Sequence, residues 1–183
     1  MSSGWRIATV GRERDDAVVY LGLGTNLGDR RASLAGALRE LMQIGRIDGV
    51  SSVWESAPVG PQDQPDFWNM VVRLRTALSA EALVAAIRTI EGRLGRTPTY
   101  PQGPRVIDID ILTHGDTSHS SQLVVVPHPR MMQRAFVLRP LLELEPSFAH
   151  PVTGERADDR LAQGGFERIR RLFPGTDLLA GPA

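Results

Sequence analysis

Two helical stripes set between strand-like segments limit this chain more than any other feature. Leu34, Leu38 and Leu41 recur at helical spacing, and so do Leu83, Ile87, Ile90 and Leu94. The first stripe predicts a helix from about Asp29 to Ile44, with Asp29 as N-cap and Gly45 ending it; Ser79 caps the second. Upstream, Val18–Gly24 is too short and too β-branched at its start to be a helix, and reads as a strand. Val50–Ser56 reads as a second. Phe67–Thr76 alternates, with Trp68, Met70, Val72 and Leu74 on one face and Phe67, Asn69, Val71, Arg73 and Arg75 on the other. Arg105–Leu112 (RVIDIDIL) is the fourth strand. The order βαββαβ predicts an α+β fold with a ferredoxin-like core, a four-stranded antiparallel sheet with two helices on one face. Leu123–Val126 (strand-like), Arg130–Leu144 (helical, interrupted at Pro140) and Leu161–Leu172 (helical) are expected to form a C-terminal α/β extension packed on that core.

The 183 residues suit one domain at roughly 150 residues per domain. We expect residues 1–17 to be a flexible N-terminal extension, 18–173 a single domain and 174–183 a C-terminal tail. Met1–Asp16 is charged and lacks an apolar run, so it does not read as a signal peptide. No segment is long enough to span a bilayer, and the expectation is a cytoplasmic protein with no membrane partner.

Composition removes several chemistries. Cysteine is absent, which excludes a disulfide framework, thiolate metal sites and a cysteine nucleophile. All 21 basic residues are arginine, so a P-loop lysine or a Schiff-base lysine is excluded too. Any anionic substrate must be held by arginine, backbone N–H groups or a metal. Net charge is zero and no arginine run exceeds two, against the basic footprint of a nucleic-acid binder. The four histidines have no zinc-site spacing.

The sharpest chemical feature is Asp108 and Asp110. Two residues apart on a strand, their carboxylates share a face while Ile107, Ile109 and Ile111 point into a core. Like charges so close are comfortable on a wetted face or around a cation, and oxygen-only ligands suit Mg²⁺. A solvated strand face is the ordinary reading of such a pair. Arg96 and Arg105, in or next to the Pro/Gly-rich loop Gly95–Pro104, add fork-shaped donors for phosphate oxygens, or else pair with nearby acids such as Glu91. His128, between two prolines and near Arg134 and Phe136, is a rigid turn residue or a hydrogen-bond donor to phosphate. Asn69 follows a second long loop, Ala57–Asp66, and either reads a heterocycle edge or ties down that loop. Phe67, Trp68 and Phe136 are available for stacking, with Trp68 better placed in the core. Gly22, Gly24 and Gly28 have the wrong spacing for a dinucleotide-binding fingerprint.

Four collinear strings, LGLGTNLGDR (21–30), SAPVGPQDQPDFWN (56–69), GPRVIDIDIL (103–112) and VPHPRMMQRAFVLRPLLELEP (126–146), make the chain resemble the 6-hydroxymethyl-7,8-dihydropterin pyrophosphokinase family. The resemblance implies transfer of an intact pyrophosphoryl group from ATP to the pterin hydroxymethyl oxygen, releasing AMP, in folate biosynthesis. It implies that Asp108 and Asp110 hold two Mg²⁺ ions, and that Arg96 and Arg105 act with them in catalysis. Arg96, Arg105, His128 and Arg134 would contact ATP phosphates, with Glu91 and Ile111 on the nucleotide side. Ser56, Pro58, Val59, Phe67, Asn69 and Phe136 would form the pterin pocket. Phe67 stands where the family often has tyrosine. The loop GRTPTYPQGPR carries Pro101 and Gln102 where the family commonly has Arg-Trp, which implies weaker lid closure and slower turnover. The expected partners are the two small substrates, with no nucleic acid; the chain is expected to be a monomer, and association with other folate enzymes stays open. The alternatives are an inactive paralogue that binds pterin or nucleotide, and an RNA-recognition module. The latter lacks the aromatic string and basic surface it would need.

Overall fold

The computed structural model describes residues 16–180. The expected flexible extension, apart from its last two residues, lies outside them. Strand β1 (Ala17–Thr25) leads into helix α1 (Arg30–Leu41), where the Asp29 carboxylate accepts the Ala32 N–H at 2.9 Å. Strands β2 (Arg46–Val50), β3 (Val53–Ser56) and β4 (Phe67–Thr76) follow, then α2 (Ala80–Arg93), capped by Ser79. β5 (Asp108–His114) is followed by a small hairpin, β6 (His119–Ser120) and β7 (Val125–Val126). Helices α3 (Ala135–Leu144) and α4 (Ala157–Ala162) and strand β8 (Ile169–Phe173) complete the chain. Among the described residues no helix is long and apolar enough to cross a membrane.

The main sheet is antiparallel and has six strands, in the order β5-β1-β4-β3-β8 with β2 also on β4. Two departures from the expected pattern add the two extra strands, and two more move element boundaries. Of the strand foreseen at Val50–Ser56 only Val53–Ser56 (β3) is one unit; Ser51-Ser52 part it from β2 (Arg46–Val50), most of which was not foreseen. Ser51 takes the Val71 N–H on its hydroxyl and donates its own N–H to Val71 O, and Ser52 N–H goes to Glu143 on α3. The helix foreseen at Leu161–Leu172 is instead the end of α4, a turn at Gly164-Gly165 with both φ positive, and β8 paired with β3. Two successive left-handed residues cannot continue a right-handed helix. The strand foreseen from Arg105 starts at Asp108, because Arg105 pairs with Asn26 instead of β1. Beyond residue 173, the segment expected as a tail forms a 3-10 turn at Gly175–Leu178 and buries Leu178 in the core.

Both faces of the sheet carry packed side chains. Leu21, Leu23, Met70, Val72, Leu74, Ile109 and Ile111 meet α1 and α2 through Leu34, Leu38, Leu83, Ile87 and Ile90. The opposite face carries Tyr20, Val71 and Leu112, packed on Val137, Leu138 and Leu141 of α3 and on Phe148. Strand alternation puts Gly22, Gly24, Asn69, Asp108 and Asp110 on this second face. α3 covers only part of it, and the remainder is open.

Candidate active site

The open part of the second face is the floor of a cavity of about 490 Å³. Gly24 stands opposite Asp108 on one side and Asn69 on the other, and Gly22 stands opposite Asp110 and Val71. Two glycines in the central strand leave bare backbone between the acids and the amide, so a ligand can lie flat on the sheet. A Cβ on Gly24 would stand 3.4 Å from Asn69 Oδ1. The Asn69 amide is buried and donates to Ser56 Oγ at 3.0 Å, which fixes its orientation. Phe67 and Phe136 form walls, with Arg105 over the first ring and Arg134 over the second, each at 5.5 Å.

At the other end the charges gather. Asp108 receives Arg96 at 2.7 Å and Arg105 at 2.8 Å, one on each oxygen. Burial raises the Asp108 pKa above the ordinary carboxylate value and the neighbouring Asp110 adds to this, against the pull of the arginines. Asp110 is the more open acid, with Arg134 at 3.9 Å and His128 Nε2 at 4.0 Å. His128 Nδ1 accepts the Arg130 N–H, which leaves the proton on Nε2, facing Asp110. Burial and the charges of Arg134 and Arg130 push the His128 pKa down to about 4, so the ring is neutral near pH 7. Burial likewise lowers the pKa of Arg134, with Arg130 next in effect.

Most residues expected at the site come together here. Ser56, Val59, Phe67, Asn69, Arg96, Arg105, Asp108, Asp110, His128, Arg134 and Phe136 all line the cavity. Three do not. Pro58 is buried within the 57–66 loop, where its carbonyl accepts from Gln62. Ile111 points to the opposite face, in the α1/α2 core. Glu91 is buried at the end of α2, with Oε1 accepting the Ile109 N–H at 2.8 Å and pairing with Arg96. It sits one side chain away from the cavity and lines a neighbouring cleft under the 95–104 loop.

The structure adds Gly22, Gly24, Gln102 and Arg130 to the lining. Glycines inside an apolar strand were the available signal for the first two, since glycine there marks a close approach. Arg130 is exposed and, among the described residues, has no carboxylate within salt-bridge distance.

The donor set suits a hard cation. Two carboxylates supply oxygens, and among the described residues no group of three potential ligands gathers, so an ion here would complete its shell from substrate and water. Arg105 Nε is buried without a hydrogen-bond partner, an orphan donor that an anion would satisfy. The cavity therefore has a flat apolar end with one oriented amide, and a charged end fit for a metal–phosphate group.

Comparison with known proteins places the chain in a family. The family model described as 7,8-dihydro-6-hydroxymethylpterin-pyrophosphokinase matches residues 20–146. The chain is 40% identical over 136 residues to the 2-amino-4-hydroxy-6-hydroxymethyldihydropteridine pyrophosphokinase of Aquifex aeolicus, covering 74% of this chain and 85% of that protein. It is 39% identical over 141 residues to the folic acid synthesis protein fol1 of Pneumocystis carinii, covering 76% of this chain and 19% of that one. The chain thus spans about a fifth of that longer relative. In fold it resembles the HPPK-DHPS of Plasmodium falciparum, with a TM-score of 0.66 at 15% identity over 84% of this chain and 44% of that one. With the family model covering well over half of its length, the chain belongs to the 7,8-dihydro-6-hydroxymethylpterin-pyrophosphokinase family.

Proposed function

We infer that this chain transfers the pyrophosphoryl group of ATP to the hydroxymethyl oxygen of 6-hydroxymethyl-7,8-dihydropterin, giving the pterin pyrophosphate and AMP for folate synthesis. The observation that carries the reading is the single cavity in which two aspartates and four arginines adjoin an oriented amide between two phenylalanines. The bond formed joins the hydroxymethyl oxygen to the β-phosphorus, the bond broken is the α–β bridge, and the hydroxyl proton is lost to solvent or phosphate.

Asn69 takes the pterin edge. Its Nδ2 is committed to Ser56, so Oδ1, lying over Gly24, is the group that accepts from a ring N–H. Phe67 and Phe136 hold the ring by stacking, and Ser56 and Val59 close the same end. Arg96, Arg105 and Arg134 bind phosphate oxygens, and neutral His128 donates from Nε2. Such transfer needs positioning and charge stabilisation more than a strong base, which fits a site whose histidine stays unprotonated. Asp108 and Asp110 would hold Mg²⁺, two ions by the family resemblance, which when bound neutralises charge developing on the transferred group. On binding, Arg96 and Arg105 would exchange their grip on Asp108 for the phosphates.

Residues 18–173 with the Gly175–Leu178 turn form one domain around a ferredoxin-like core, a reading supported by the β5-β1-β4-β3 order. We place it in the cytoplasm, acting as a monomer on ATP and the pterin. The test is to incubate the protein with Mg²⁺, ATP and the pterin and identify the nucleotide product. AMP is expected; ADP would mean ordinary phosphoryl transfer, and unchanged ATP would favour a binding paralogue. Asp108→Ala and Asp110→Ala should each abolish AMP formation with the circular dichroism spectrum intact, and activity in both would remove the metal assignment.

A further inference from the structure

We propose that Glu167 is a positioning residue for the pterin: its carboxylate caps helix α3 from outside the helix and so holds Phe136, one wall of the ring pocket, in place. The proposal rests on the substrate assignment above. Glu167 does not line the cavity, and it stands outside residues 20–146, the part of the chain that the family model matches.

Two needs collide at the start of α3. A helix leaves its first N–H groups without partners of its own, and a Ser, Thr, Asp or Asn just before it ordinarily takes one of them. Here that place belongs to Arg134, whose side chain makes no cap hydrogen bond. Its guanidinium is given over to the site, lying over the Phe136 ring and 3.9 Å from Asp110. The Val137 and Leu138 N–H groups reach Arg134 O at 3.1 and 3.0 Å. The Phe136 N–H goes instead to Glu167 Oε1 at 3.1 Å, 31 residues downstream. A carboxylate also suits the positive end of the helix dipole. The cap that Arg134 cannot give is thus supplied by another part of the chain.

The segment that brings Glu167 there is itself anchored. Arg160 of α4 donates to Gly164 O at 3.2 Å and lies 4.4 Å over the Phe166 ring. Phe166 packs on the same cluster as Phe136. Two residues after Glu167, Ile169 opens β8 opposite Ser56, which fixes the Asn69 amide. Residues 164–169 therefore stand behind both the stacking wall and the amide of the pterin end. Arg134 has a tie of its own, from its N–H to Met131 O at 3.4 Å. Loss of the Glu167 carboxylate would loosen the first turn of α3 at Phe136 and leave the phosphate end in place.

The test uses the full chain with Mg²⁺. Calorimetry reads 6-hydroxymethylpterin binding in the presence of a nonhydrolysable ATP analogue, and binding of the analogue itself; steady-state turnover with ATP gives KM for each substrate. Glu167 is half-buried, and Glu167→Ala removes the acceptor while Glu167→Gln keeps an oxygen at the same reach. Glu167→Ala should weaken pterin binding and raise KM for the pterin about fivefold, the scale of one lost hydrogen bond. Nucleotide binding and KM for ATP should hold within about twofold, a split that a merely loosened fold would not produce. The Phe136 amide proton should move upfield in the NMR spectrum of Glu167→Ala, and Glu167→Gln should restore pterin affinity to within about twofold of wild type. Unchanged pterin binding in Glu167→Ala, equal losses for the two ligands, or a Glu167→Gln variant as damaged as Glu167→Ala overturns the proposal. A wild type that binds no pterin overturns it together with the substrate assignment. One that shows this pattern of binding but forms no AMP overturns the activity alone and leaves this inference standing.

Discussion

Glu91 offers the most direct energetic test of how the site is supported. Its Oε1 accepts the buried Ile109 N–H and also meets Arg96. Glu91→Ala leaves that N–H without a partner, at about 1–3 kcal/mol for a buried unsatisfied donor. It also removes a side-chain methylene from a 6%-exposed site, about 0.8 kcal/mol. The ion pair adds only about 0.5 kcal/mol, because Arg96 is about a third exposed. The expected loss is therefore about 2–4 kcal/mol in urea unfolding at pH 7, read by linear extrapolation. Glu91→Gln keeps an acceptor for Ile109 and should stay within about 1 kcal/mol of wild type. The sign with pH follows from burial, which raises the Glu91 pKa. A carboxyl that holds its proton more tightly when folded contributes stability below its unfolded pKa and loses it as pH rises through the folded one. Glutamine does not titrate, so Glu91→Gln should compare better with wild type at pH 7 than at pH 4. Equal damage from the two substitutions would refute the hydrogen-bond account, and a gap that runs the other way with pH would refute the burial account.

Three other outcomes are expected. Because the His128 pKa is pushed down to about 4, the folded state takes up a proton less readily than the unfolded chain, and stability should fall as pH drops from about 6.5 towards 4. His128→Gln should flatten that decline and, since the amide can still donate, should keep more AMP formation than His128→Ala. Arg130→Ala should raise KM for ATP severalfold with little change in melting temperature, because no carboxylate among the described residues depends on Arg130; an unchanged KM would remove it from the phosphate end. Replacing Pro101-Gln102 by Arg-Trp should raise the steady-state rate if the altered loop slows closure. The gain will be limited by the positive φ at position 102, which a tryptophan tolerates poorly, and no gain at all would refute the expectation that this loop slows turnover.

The parts of the fold legible in the sequence are those whose signal is local. The leucine stripes of α1 and α2, the Asp29 and Ser79 caps and the alternation of β4 each follow from spacing within one segment. β8 was misread as helix because a five-residue edge strand draws its stability from β3, more than a hundred residues upstream, and its own alternation is weak. The break at Ser51-Ser52 was hidden for the same reason: the groups that hold it are Val71 and Glu143. At the site, the two-residue period exposed Asp108 and Asp110, and the long loops pointed to Arg96 and Asn69. Gly22 and Gly24 fit no dinucleotide-binding fingerprint, and their meaning lies in what stands across the sheet from them. Asn26 had no local signature, since its partners Gln64 and Arg105 lie 38 and 79 residues away.

β5 ends the sheet on the side away from β1, where a strand ordinarily offers unpaired backbone to any passing chain. Here that rim is capped at two points by residues in or beside the candidate site: Glu91 accepts the Ile109 N–H, and the His128 N–H donates to Leu112 O at 2.8 Å. The strand bearing both aspartates is thereby shielded from intermolecular zippering without a dedicated guard. Lesions at Glu91 or around the His128 backbone should therefore loosen this edge as well as the flank of the candidate site, and are expected to raise aggregation on mild heating.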